Sequence, residues 1–413
     1  MEVKPGYKHT EVGVIPEDWD LDYIENLANI TTGGRNTQDR VDDGQYPFFV
    51  RSQTVEHINS YSFDGEAVLT AGDGVGTGKV FHYIVGKFDA HQRVYRISEF
   101  NERIKGYFFF LYFSSHFYSR IMQMTAKSSV DSVRREMIAR MIIPLPPTKA
   151  EQSAIAAVLS DADALIAGLD RLIAKKRDIK QAAMQELLTG KKRLPGFADE
   201  NQYKRTEVGL VPENWTVKSI GSILNKGKLG GNYSNQDKET HYPLIKMGNI
   251  GRGSIDLGKI EYISDGIIPN EMDRLRYGDL LFNTRNTLDL VGKVAIWRNE
   301  LPIAYFNSNL MRLDLKPEEI ASTFYANYAF NSTGCIARLK SIATGTTSVA
   351  AIYTRDLLKI PFPCPPLPEQ QAIAAVLSDM DTEIAALEAR REKTRALKQG
   401  MMQELLTGRI RLV

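Results

Sequence analysis

The octapeptide Ala154-Ile-Ala-Ala-Val-Leu-Ser-Asp161 returns letter for letter as Ala372-Ile-Ala-Ala-Val-Leu-Ser-Asp379, 218 residues later. Around the first copy, apolar residues recur at Ile155, Leu159, Ala162, Ile166, Leu169 and Ile173, with a second row at Val158, Leu165, Leu172 and Ile179. Steps of three and four in the first row, and of seven in the second, place each row on one face of a helix. The second copy repeats the stripe with Ile373, Leu377, Met380, Ile384, Leu387 and Leu397, while Glu383 and Arg390 stand where the first copy has Leu165 and Leu172. Thr148 with Glu151 reads as a capping box, and Pro368 suits a first helical position. Gly190 and Gly408, each after Gln-Glu-Leu-Leu-Thr, read as C-terminal caps. Each helix should therefore run about 40 residues, or about 60 Å. A helix of that length cannot bury its stripe alone, so the two copies are expected to pair as an antiparallel coiled coil.

The repetition extends beyond the helices. Thr10-Glu-Val-Gly13 returns as Thr206-Glu-Val-Gly209, Pro16-Glu-Asp-Trp19 as Pro212-Glu-Asn-Trp215, and Tyr46-Pro as Tyr242-Pro, all 196 residues on. The chain is thus a pseudo-twofold duplication whose second globular part is longer by 22 residues, the difference between the two offsets. The expected organisation is a globule over 1–147, a long helix over 148–190, a linker over 191–204, a second globule over 205–366, a second helix over 367–408 and a tail over 409–413. Short apolar and aromatic runs punctuated by Gly and Asp read as strands: Tyr46–Val50, Ala67–Leu69, Lys79–Val85 and Val94–Ile97 in the first globule. Tyr242–Met247, Asp279–Phe282, Gly292–Trp297 and Leu310–Leu315 read likewise in the second, with helices over 106–124 and about 318–331. The fold class is α/β.

Composition narrows the function classes. Of 413 residues, 43% are hydrophobic and 25% charged, which describes a globular chain. Cys335 and Cys364 are the two cysteines, too few for a disulfide framework or a zinc site, and they fit a reducing cytoplasm. The first ten residues lack the apolar segment of a signal peptide, so neither export nor membrane spanning is expected. Net charge is +2; residues 1–147 carry 16 Lys+Arg against 19 Asp+Glu, whereas 204–366 carry 20 against 16. No segment is basic enough to announce nucleic acid by charge alone.

Gly72-Asp-Gly-Val-Gly-Thr-Gly-Lys79 resembles a phosphate loop but fails its spacing, because Asp73 and Val80 occupy the positions that a Walker A loop gives to Gly and to Ser or Thr. Amino-methyltransferase, helicase and nuclease clusters are likewise missing from the sequence, so no catalytic residue and no metal site are assigned. What recurs is a set of polar residues at strand ends: Arg51-Ser-Gln53 against Met247-Gly-Asn249, and His91-Gln-Arg93 against Asn307-Ser-Asn309. Amides and Arg pair with base edges, Asn or Gln with adenine and Arg with guanine. The DNA-binding candidates are Arg35, Arg51, Gln53, Lys79, His91, Arg93, Ser129, Arg134, Arg135, Lys246, Asn249, Arg285, Asn286, Asn307, Asn309 and Thr347. The apolar residues left over after the helices pair, with Leu187, Leu188, Leu405 and Leu406, are candidates for docking a partner.

Pro144-Leu-Pro-Pro147 leading into Glu151-Gln152, Pro368-Glu-Gln370, the Gln-Glu-Leu-Leu-Thr-Gly repeats and Lys192-Arg-Leu-Pro-Gly-Phe197 together resemble the specificity (S) subunits of Type I restriction-modification systems. The resemblance covers nearly the whole chain. It implies two target-recognition domains, each reading one half of an asymmetric bipartite DNA site, with the helices setting the spacer. It also implies a non-catalytic subunit that binds no cofactor itself. Separate modification subunits, two by the duplication, would bring S-adenosylmethionine, and restriction subunits would bring ATP and Mg. Two alternatives stay open at this point: a system whose methylating and cleaving partner is one fused chain, and a coiled-coil scaffold joining two ligand-binding globules without DNA.

Overall fold

In the computed structural model, residues 4–124, 132–197, 202–346 and 349–412 are described. The two long patterns form uninterrupted helices of 39 residues each, Lys149–Leu187 and Leu367–Leu405. The chain divides into two units: Met1–Asp170 with Ala389–Val413, and Arg171–Glu388. Each unit therefore contains half of each long helix.

In the first unit, six strands form a sheet in the order Asn29–Thr32, Val94–Ser98, Phe63–Ala71, Phe81–Ala90, Tyr46–Phe49, Glu56–Ile58. Pairing is antiparallel except between Tyr46–Phe49 and Phe81–Ala90. The helix Gly106–Met124 lays Phe108, Phe109, Phe113 and Phe117, all fully buried, into a core shared with Val68 and Ile97 of the sheet. Ile155 and Leu159 of the first long helix, with Leu405 at the end of the second and Leu406 just past it, close the same core.

The second unit repeats the plan with shorter pieces. One four-stranded sheet runs Leu224–Leu229, Leu310–Leu315, Leu280–Asn283, Val294–Ile296; another runs Asn235–Gln236, Glu261–Ile263, Pro243–Ile245, Tyr305–Phe306. The helix expected near 318–331 is Thr323–Phe330, and a second helix not among those expected, Thr333–Ser341, follows it. Ser332 breaks the run by capping the second, its Oγ accepting the Cys335 N–H at 3.3 Å.

Within each unit the two helix halves run antiparallel, joined by ion pairs, of which Lys398–Asp163 and Lys180–Asp381 stand at equivalent places of the repeat. Lys398 Nζ donates to Asp163 Oδ1 at 2.6 Å and Arg391 Nη1 to Asp170 Oδ1 at 3.0 Å in the first unit. Lys180 holds Asp381, and Lys176 lies 2.6 Å from Glu383, in the second. Glu383 thus replaces an apolar stripe residue with a cross-helix charge. The second apolar row of the first helix behaves differently from its expected place in the seam: Leu165, Leu172 and Ile179 are exposed, as is Leu397. By length and apolarity alone Lys149–Leu187 could cross a membrane. Here it carries Asp163 and Asp170 in ion pairs and buries Ile155, Leu159, Leu169 and Ile173 against protein.

The helix ends explain the recurring short motifs. Gly190 and Gly408 take φ of +70° and +69°, the left-handed cap that glycine adopts without strain. A Cβ on Gly190 would stand 2.4 Å from Pro212, and one on Gly408 2.6 Å from Pro16. The Pro-Glu-Asp/Asn-Trp motif is therefore the seat for a helix end. At the helix starts only half of the expected capping box forms: Thr148 Oγ1 accepts the Glu151 N–H at 3.1 Å, but the Glu151 carboxylate turns to Arg411. Its counterpart Glu369 accepts from Arg193 Nη2 at 2.7 Å and from Trp215 Nε1 at 2.9 Å. Gln152 and Gln370, beside them, bond the backbone at 103–105 and 319–321 with both ends of their amides.

Glu369 is 1% exposed, so removing its cation leaves an uncompensated buried charge, which costs about 3 kcal/mol. Arg193→Met should lower the thermal transition of the second unit by roughly 6–12 °C, read by calorimetry. Adding Glu369→Leu should recover much of that loss. A single variant melting with the wild type would contradict this account of the clamp.

Candidate nucleic-acid interface

In the first unit, four separated stretches come together. Gly33 lies so close under the Ala90 carbonyl that a Cβ would stand 2.0 Å from its oxygen. Arg35 pairs with His91 in a parallel bridge, and Gln92 N donates to Arg35 O at 2.8 Å. Gly72 N donates to Arg93 O at 2.8 Å, and a Cβ on Gly76 would stand 2.5 Å from Arg51 O. The glycine run is thus a loop folded against the backbones of Arg51 and Arg93, ahead of the strand that begins at Phe81. Its Asp73 carboxylate takes Arg51 Nη1 at 2.9 Å and lies 3.6 Å from Arg93 Nε. Val75, at the tip, is 98% exposed.

The second unit builds the same frame. A Cβ on Gly230 would stand 2.1 Å from Phe306 O, and Gly231 bridges Asn307. Asn307 N donates to Ile245 O at 3.1 Å, and Thr284 N to Asn309 O at 3.1 Å. Hydrogen bonding therefore makes Thr284 the equivalent of Gly72, and hence Arg285 of Asp73.

These contacts sort the sequence candidates. Arg51, Gln53, Lys79, Arg93, Arg134 and Arg135 are exposed on the first unit, Lys79 with its ammonium 5.5 Å from the Tyr118 ring and Arg135 paired to Glu136 at 3.6 Å. Arg285 is exposed and Asn286 and Asn309 half-buried on the second. Ser129 and Thr347 lie outside the described residues.

Several candidates prove to be builders of the frame. His91 is 6% exposed, and its Nδ1 accepts the Arg93 N–H at 2.9 Å; Asn307 Oδ1 accepts the Asn309 N–H at 3.2 Å. Both therefore hold the same turn and present the residue two places on. Asn249 is buried, its amide bonded to Lys246 N, Asp256 O and Lys259 O, which removes it from base contact. Arg35 holds the buried Asp89 at 3.0 Å, and Lys246 holds Glu261 at 2.8 Å. Leu187, Leu188, Leu405 and Leu406 are 0–5% exposed inside the cores, which withdraws them as docking residues. Asp73 was not a candidate by sequence, because a lone Asp in a glycine run has no signature; only its two arginine partners mark it.

The sequence profile described as the Type I restriction modification DNA specificity domain matches residues 16–175 and 212–395, most of the chain and once per repeat. The chain belongs to this family. It is 25% identical over 416 residues to the Type I restriction enzyme MjaVIII specificity subunit of Methanocaldococcus jannaschii, covering 96% of this chain and 94% of that one. The EcoDI specificity subunit of Escherichia coli is 24% identical, covering 97% and 89%. A putative MjaX specificity subunit of M. jannaschii is 31% identical over 214 residues, about half of either chain. Among solved structures, the S subunit from M. genitalium aligns over 98% of both chains with a TM-score of 0.62 at 14% identity, a likeness of fold. The specificity-subunit family and the two-globule, two-helix fold expected from the sequence are thereby borne out.

The imidazoles of His82, His91 and His116 are all held below their ordinary value of 6.5, chiefly by burial. The folded unit prefers them neutral. As pH falls through that ordinary value, the unfolded chain takes up protons that the folded one resists, so stability falls with falling pH and is full above it. The first unit's thermal transition should therefore drop between about pH 7 and pH 5, and His82→Gln should flatten part of the slope. A transition constant across that range would contradict the burial of neutral histidines.

Proposed function

We propose that this chain is the DNA sequence-specificity subunit of a Type I restriction-modification complex. Each globule reads one half of an asymmetric bipartite site, and methylation and cleavage belong to partner subunits. The observation that carries the reading is the frame built twice with different side chains on it. Gly33 and Gly230, the backbone bonds and the turn-holding His91 and Asn307 coincide, whereas the places of Arg51, Asp73 and Arg93 in one unit are taken by Met247, Arg285 and Asn309 in the other. One scaffold with two sets of donors and acceptors suits two unlike half-sites.

The modification subunits, one per repeat, bring S-adenosylmethionine, and the restriction subunits bring ATP and Mg. The exposed row Leu165, Leu172 and Ile179, spaced by seven residues, supports docking of a partner helix in place of the buried leucines.

Mapping N6-methyladenine at base resolution tests this directly, in cells carrying this chain with a modification subunit and in cells carrying the modification subunit alone. A split motif that requires this chain is the expected result; its absence despite a stable complex would end the proposal. Deleting seven residues from each long helix removes about 10 Å of rise per helix. The spacer should then shorten by about three base pairs with both half-sites unchanged, and an unaltered spacer would rule out the helices as its determinant.

A further inference from the structure

We infer that the positions of Arg51, Asp73 and Arg93 in the first unit, and of Met247, Arg285 and Asn309 in the second, form equivalent base-reading triplets, with Asp73 fixing the two arginines of its set. This rests on the proposed specificity role and extends it to named residues.

Asp73 is out of place on a surface that only gathers phosphates. A carboxylate 2.9 Å from one guanidinium and 3.6 Å from another cancels positive charge that phosphate contacts would use. What it provides is direction. A free arginine samples many rotamers, whereas one tied through Nη1 presents the rest of its planar fork in a set orientation, as bidentate contact with guanine O6 and N7 requires.

The loop that carries Asp73 is built for fixed placement. Gly74 and Gly78 take φ of +81° and +66°, Gly76 leaves no room for a side chain against Arg51 O, and buried Thr77 returns its Oγ1 to Gly74 O at 2.6 Å. The exposed Val75 beside these guanidiniums adds an apolar group of the kind that meets a thymine methyl.

The second unit supplies the independent support. Thr284 donates to the Asn309 carbonyl as Gly72 does to that of Arg93, and the residue that follows is Arg285 where the first unit has Asp73. Backbone placement is the same and the charge is reversed. His91 and Asn307 differ between the copies yet do the same work, whereas Asp73 and Arg285 carry opposite charges and cannot; such a reversal suits a position whose chemistry follows the base read.

The test is methylation mapping of the complex carrying Asp73→Asn, Asp73→Glu or Arg285→Ala, with duplex-binding measurements on the purified complexes. Asp73→Asn should turn one or two positions of one half-site degenerate, cutting discrimination there about tenfold, and leave the other half-site and the spacer intact. Non-cognate affinity should rise and the salt slope steepen by about one, because a carboxylate has left the interface. Asp73→Glu should restore part of the discrimination. Arg285→Ala, exposed and outside any core, should relax only the other half-site, and it keeps the inference testable if the Asp73 variants fold poorly. Unchanged motifs in all three variants, or lowered methylation at an unchanged motif, would overturn the triplets while leaving the specificity role standing. A wild-type complex without a split motif would remove both.

Discussion

Two carboxylates at the starts of the long helices, Glu151 and Glu369, are each 1% exposed, and the architecture is arranged so that neither lacks a guanidinium. Burying an unpaired charge costs several kcal/mol, a large part of what holds a domain together. The cation comes in each case from the segment just past the end of the other long helix: Arg411 for Glu151 and Arg193 for Glu369. Once that pairing is required, the rest of the clamp follows. The helix end must turn sharply, so a glycine caps it; the turn must lie against the globule, so a Pro and a Trp receive it.

That constraint also shows which parts of the structure are visible in a sequence. Helix length, register and caps were legible because apolar period and cap residues are local signals. Pairing was legible because an unburied stripe requires a partner. The clamp was only half legible: Thr148 and Glu151 read as a capping box, but the carboxylate answers to Arg411, 260 residues away, and no spacing rule reaches so far. The row Leu165, Leu172, Ile179 has the period of a seam yet stays exposed, since one helix partner can cover only one side.

The candidate interface was legible by residue type but not by role. His91 and Asn307 occupy equivalent places and were grouped with the residues that follow them; both hold a turn through a side-chain acceptor, work that imidazole and amide do equally well. Asn249 likewise lost its reading role to three backbone partners. The division between frame and display appears only when hydrogen bonds in the two units are set side by side. What coincides carries the fold, and what differs is free to carry information.

The first unit is assembled from residues on both sides of the second in chain order, Met1–Asp170 and Ala389–Val413, whereas the second is the continuous stretch Arg171–Glu388. During synthesis, domains ordinarily close in the order in which they emerge. Here the second unit is complete in the chain before the first. Leu405, Leu406 and Arg411, which complete the first core and neutralise Glu151, leave the ribosome after every residue of the second unit. The half made first remains open, with Trp19 and Glu151 waiting for their partners, until translation has passed the second long helix.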